Sequence, residues 1–288
     1  MPLFIPLLLT TIGTYANAPS GTVSQLPPEI LDRNNPEAKR RQQSNAVQGP
    51  AYGAPNGSGC TDEMSASPAV GAMAAQKALD RAQGEERVRA GLCLGVALGS
   101  MGRWDEARNA FIQARDAAAP ADSASRARLG AMGGNAALAA GAAATALPIL
   151  EAAQADAKVA QDTDLGSSIA IDRARALVAL GQKAQAAAAL AEARSATPDN
   201  AQAWLLSATL ARRENKLAEA QGEIEKAAQL APEDPEIGLE AGVIAVLGGR
   251  DDAARKSWQS VVSLAPSSDA AVTAKGYLAQ LDPGVAKP

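Results

Sequence analysis

From residue 201 onward, apolar and small residues recur on two helical registers. Trp204, Ser207, Ala208 and Ala211 are spaced i, i+3, i+4 and i+7, so they share one face of a helix. Ala220, Ile224 and Ala227 share a face of a second helix, and the polar run Arg212 to Lys216 lies between the two. The stretch "QLAPEDPE", residues 229–236, ends that second helix and starts another. Pro232 cannot extend a helix, whereas Asp234 followed by Pro235 is an N-cap with proline in the first helical position. The punctuation recurs: Pro198, Pro232 and Pro266 stand 34 residues apart. The pattern predicts a chain of helix pairs.

Rows of that length beginning at Ala201 and Pro235 have a large residue at place 24 (Ile224, Trp258), small residues at places 8 and 20 (Ala208 and Ala220; Gly242 and Ala254), and proline at place 32. Earlier rows run over 167–200 (Ala174, Gly181, Ala186, Leu190), 127–160 (Gly134, Gly141, Ala146, Leu150) and 88–121 (Gly95, Gly102, Ala107, Phe111). These rows resemble the tetratricopeptide repeat (TPR). The resemblance implies an all-α fold, a right-handed superhelical solenoid of about five helix pairs. In it, Ala220 and Gly242 sit where helices nearly touch, and Phe111, Trp204 and Trp258 are core. A leading helix near 68–86 and a closing helix at 269–281, capped by Asp269, are expected to cover the ends, giving a solenoid over 68–281.

Composition supports helices and removes much chemistry. The chain of 288 residues is 47% hydrophobic but only 3% aromatic, so its apolar mass consists of small side chains suited to close helix packing. It has no histidine, the commonest general base and zinc ligand, and it carries no phosphate-cradling loop, dinucleotide fingerprint or paired-cysteine metal motif. Acidic pairs such as Asp251 and Asp252 read as solvated helix faces. No catalytic residue, cofactor or metal is expected. The net charge of −4 offers no footprint for a nucleic-acid backbone.

The N-terminal "MPLFIPLLLTTIGTYANA" has an apolar run followed by Ala16 and Ala18, the pattern of a secretory signal over 1–18, although no basic residue precedes the run. That run is too short for a stable transmembrane segment. Residues 19–67 are rich in Pro, Gly, Asn and Ser without periodicity, as in a disordered tether, and 282–288 form a tail. In an exported, periplasmic or secreted chain, the two cysteines, Cys60 and Cys93, form a candidate disulfide.

A TPR solenoid implies a concave groove lined by the first helix of each pair, at places 2, 5, 9, 12 and 13. In this sequence the corresponding candidates are Arg89, Leu92, Val96, Arg128, Asn135, Ile171, Arg175, Leu205, Arg212, Arg213, Val243 and Val246. Only Asn135 and Arg175 match the Lys/Asn/Arg set with which some TPR domains clamp a terminal carboxylate. The groove reads as aliphatic with scattered arginines, suited to a protein or peptide segment of some acidic character. The expected function is therefore a non-catalytic interaction scaffold in the cell envelope. The alternative is a structural or self-associating solenoid whose groove holds its own tether or a second copy.

Overall fold

The computed structural model describes Cys60 and residues 67–281; the signal, most of the tether and the tail expected from the sequence lie outside the described residues. Twelve α-helices, and no strand, make up the described chain: α1 (Pro68–Leu79), α2 (Gly84–Ser100), α3 (Trp104–Ala117), α4 (Ser123–Ala139), α5 (Ala143–Ala160), α6 (Thr163–Ala179), α7 (Lys183–Ala196), α8 (Ala201–Arg213), α9 (Leu217–Leu230), α10 (Pro235–Leu247), α11 (Asp251–Leu264) and α12 (Asp269–Leu281). None of the described helices is long and apolar enough to cross a membrane.

Helices α2 to α11 form five antiparallel pairs, and each second helix packs on the first helix of the next pair. Local chemistry sets where each helix begins and ends. The first helices of pairs two to five are N-capped by Asp122, Asp162, Asn200 and Asp234, whose side chains accept from backbone N–H groups of the first turn. All five first helices end identically. The residue at place 15 is left-handed (Gly102, Gly141, Gly181, Asn215 and Gly249, with φ of 71°, 75°, 76°, 60° and 71°). The next N–H then reaches back to the carbonyl at place 11, as in Arg103 to Leu98 and Lys216 to Ala211. This is the glycine-favouring Schellman closure, repeated five times.

The residues separating the first three rows are not loops. Most of them belong to the first turns of α4 and α6, and residues 84–87 lengthen α2 in the same way, so that all three reach 17 residues, one turn longer than α8 and α10 at 13. The leading helix is shorter than the sequence suggests: α1 stops at Leu79, and α2 begins at Gly84, whose φ of 54° suits glycine.

Within each pair, place 8 faces place 24. A Cβ built on Gly95 would overlap the Phe111 ring, one on Gly134 would overlap Leu150, and one on Gly242 would overlap the Trp258 ring. Alanine suffices at place 8 where Leu190 and Ile224 are the partners. Phe111, Trp258, Leu150, Leu190 and Ile224 are all buried, and Ala220 is fully so. Trp204, expected in the core, is half-buried instead: its Nε1–H donates to the Pro198 carbonyl at 2.9 Å, and the Arg194 guanidinium lies 4.8 Å from its ring centroid.

Candidate functional site

First helices of neighbouring pairs also touch one another, α4 with α6, α8 with α10 and α10 with α12, while second helices approach one another less closely. The stack therefore curves with the first helices on its inner side, and the candidate groove residues lie on those helices.

Half of the candidates do not line an open surface. Leu92, Ile171, Leu205, Val243 and Val246 are between 2% and 9% exposed. The close approach of successive repeats explains this. Leu92 joins a cluster with Leu129 and Met132 of α4, Ile171 packs with Ala203 of α8, and Leu205 with Ile237 and Ile244 of α10. Val243 and Val246 are covered by Ala270, Ala274 and Tyr277 of the closing helix. The apolar walls expected from the sequence are inter-repeat core.

Arg212 is also interior. It is 5% exposed, and its Nε and Nη2 donate to the two carboxylate oxygens of buried Glu240 at 2.6 and 3.3 Å, a two-pronged pair that ties α8 to α10. Glu240 stands at place 6 of its row. At the same place two rows earlier, Asp172 is fully buried and accepts from Arg175 Nη1 at 2.6 Å and from Asn135 Nδ2 of the preceding repeat at 3.3 Å. These two acids were not singled out from the sequence. The available signal was an acidic residue inside an apolar helix face, with Asn or Arg about one repeat earlier.

The surface left on the inner side is more polar than expected. Arg89 is exposed, while Val96, Arg128, Asn135, Arg175 and Arg213 are half-buried. On the second helices, a further series of contacts links repeats. Arg115 Nη2 donates to Asp156 at 2.6 Å, Gln154 Nε2 to Glu192 at 3.3 Å, and Arg194 pairs with Glu223. Because burial of its carboxyl outweighs Arg194, Glu223 is pushed above the ordinary glutamate range. A carboxyl raised on folding contributes stability that is present below its unfolded value and lost as pH rises through the folded one. Glu223→Gln should therefore gain on the parent protein in melting temperature between about pH 4 and pH 8, a range that spans the carboxylate and neutral regimes. A melting temperature of the variant that, relative to the parent's, stays constant or falls with rising pH would contradict this.

At the start of the solenoid the Cys60 and Cys93 sulfurs are bonded, with Cα atoms 5.4 Å apart across a 33-residue separation. On a chain-entropy argument, a closure of that length stabilises the fold by about 3–4 kcal/mol. No group of histidine, cysteine or acidic side chains among the described residues is arranged to hold a metal ion.

No family model matches the chain, and no curated protein does. Solved structures resemble it at low identity. PilF of Pseudomonas aeruginosa is 15% identical over 83% of this chain and 99% of its own, with a TM-score of 0.57. A thermophilic TPR protein of Thermus thermophilus is 21% identical over 66% and 98%, with a TM-score of 0.51. MamA of Desulfovibrio magneticus RS-1, from residue 41 to its end, is 18% identical over 65% and 99%, also with a TM-score of 0.51. With five helix pairs in the expected register, the fold is a TPR solenoid.

Proposed function

We propose that the protein is a non-catalytic interaction scaffold whose inner face, along α2, α4 and α6, binds an acidic polypeptide segment. The observation that carries this reading is the charge left open there. Arg89 and Arg128, both at place 2 of their rows, make neither a hydrogen bond nor an ion pair among the described residues, and Arg175 keeps about a third of its side chain in solvent beside Asp172. Guanidinium groups so placed pair with carboxylates while their stems rest on neighbouring small residues. Arg212, held by Glu240, takes no part. The covalently joined cysteines support a working place in an oxidising compartment, the periplasm or the exterior.

Selection of random twelve-residue peptides on the full-length oxidised protein tests the proposal. Acidic sequences should be enriched, and a synthetic representative should lose about thirtyfold in affinity to protein carrying Arg128→Glu, with melting unchanged. Equal binding by the folded variant would remove the inner face from recognition. Failure to enrich any peptide would favour a groove filled by the chain itself or by a second copy.

A further inference from the structure

Cys93 occupies place 6 of the first repeat. At that place in the third and fifth repeats, Asp172 and Glu240 reach the first helix of the repeat before, through Asn135 and Arg212. Among the described residues no such helix precedes α2, and Cys60 makes the corresponding contact by a covalent bond. Helix α1 meanwhile packs on α2 as each later second helix packs on the first helix that follows it. Among the described residues the solenoid thus begins with an outer helix, and a cleft of about 400 Å³ lies between α1 and α2.

The cleft has a defined chemistry. Its floor is small buried residues, Gly71, Ala75 and Ala90, with exposed Ala78 beside them, and the Cys60–Cys93 bridge also lines it. Arg81 and Arg89 line it together with Glu86, the one acid among its described lining residues. Neither arginine makes a hydrogen bond or an ion pair among the described residues. Elsewhere arginines are engaged: Arg87 donates to the Leu79 carbonyl, Arg103 pairs with Glu106, Arg115 with Asp156, Arg173 with Glu192 and Arg212 with Glu240. The other guanidinium with neither hydrogen bond nor ion pair among the described residues is that of Arg128, on the next inner helix. In a chain of net charge −4, the guanidiniums uncommitted among the described residues are therefore gathered toward the first described helices of the solenoid.

We infer that this cleft receives the carboxylate-bearing end of the polypeptide that the inner face binds, with Arg81 and Arg89 pairing its acidic side chains and the small-residue floor giving them room. The inference rests on the proposed function and adds a direction to it: the acidic end lies against the disulfide, and the rest of the segment runs past Arg128 toward α6. A volume of this size, within the range of ordinary ligand pockets, accommodates two or three side chains rather than a helix.

The test uses the twelve-residue peptides selected on the full-length oxidised protein. Their Asp and Glu residues should concentrate at one end. For a synthetic representative read by fluorescence anisotropy, Arg81→Gln with Arg89→Gln should weaken binding at least tenfold. Changing the peptide's terminal acids to amides should weaken it equally, and the two changes together should do little more than either alone. Ala78→Trp, which crowds the cleft from its α1 side and leaves both arginines in place, should reproduce the loss. If Arg128→Glu weakens binding but the cleft variants remain within twofold of the parent, the cleft inference is overturned and the inner-face reading stands. If no peptide is enriched, both fall.

Discussion

Trp258→Ala is expected to destabilise the solenoid by about 3–5 kcal/mol, the range for removing a fully buried large aromatic. Trp258 is wholly buried, its ring centroid lies 5.0 Å from that of Tyr277 in the closing helix, and its Nε1–H donates to the Leu239 carbonyl at 3.1 Å. It thus joins the last repeat to the helix that ends the stack. A repeat array depends on such an end, because each unit is stabilised only by its neighbours. The ring sits directly against Gly242, so Gly242→Ala should also be costly in the parent protein but much less so once Trp258 is truncated. Urea unfolding of the two single variants and the double variant measures the coupling. Strict additivity would mean that places 8 and 24 do not meet, and the repeat register would fail with them.

The second large effect belongs to Arg212. Arg212→Ala should cost about 3–5 kcal/mol, because it leaves Glu240 buried with its strongest partner gone. Removing both charges at once, as Arg212→Met with Glu240→Leu, should restore most of the loss or exceed the parent, since the desolvation of two ions disappears together with their attraction. The same melts distinguish this role from a ligand-binding one. An arginine waiting for a ligand would tolerate truncation with little change in stability, and that outcome would return Arg212 to the groove.

The sequence carried the repeat well and the groove poorly, for one physical reason. Packing inside a pair depends on residues about 16 apart in the same row, so Gly242 with Trp258 or Gly95 with Phe111 can be read from a single line of text. The exposure of an inner-helix residue depends on how closely the next pair stacks. Leu205 is covered by Ile237 and Ile244, and Val243 shares its cluster with Ala270 and Tyr277, partners set by the following unit rather than by its own periodicity. The buried acids at place 6 were hidden in the same way. Asp172 looks like a solvated helix residue until Asn135, on the previous inner helix, is brought to it. The left-handed place 15 was legible in four rows as glycine; Asn215 fills it in the fourth, where a residue-by-residue match sees only a difference. The extra turn of α4 had a local signal in Asp122, which accepts from the Ser125 N–H and starts the helix ahead of the 34-residue row.

The central claim is that recognition lies on the inner helices and that the interior arginine and apolar side chains only hold the stack together. The most direct measurement is cross-linking from a photoreactive phenylalanine placed at the middle of a selected acidic peptide, followed by mass-spectrometric mapping on the full-length oxidised protein. The account predicts adducts on α2, α4 and α6, near Val96, Arg128 and Arg175. Adducts confined to the second helices α3, α5 and α7, or to residues before Cys60, would contradict it.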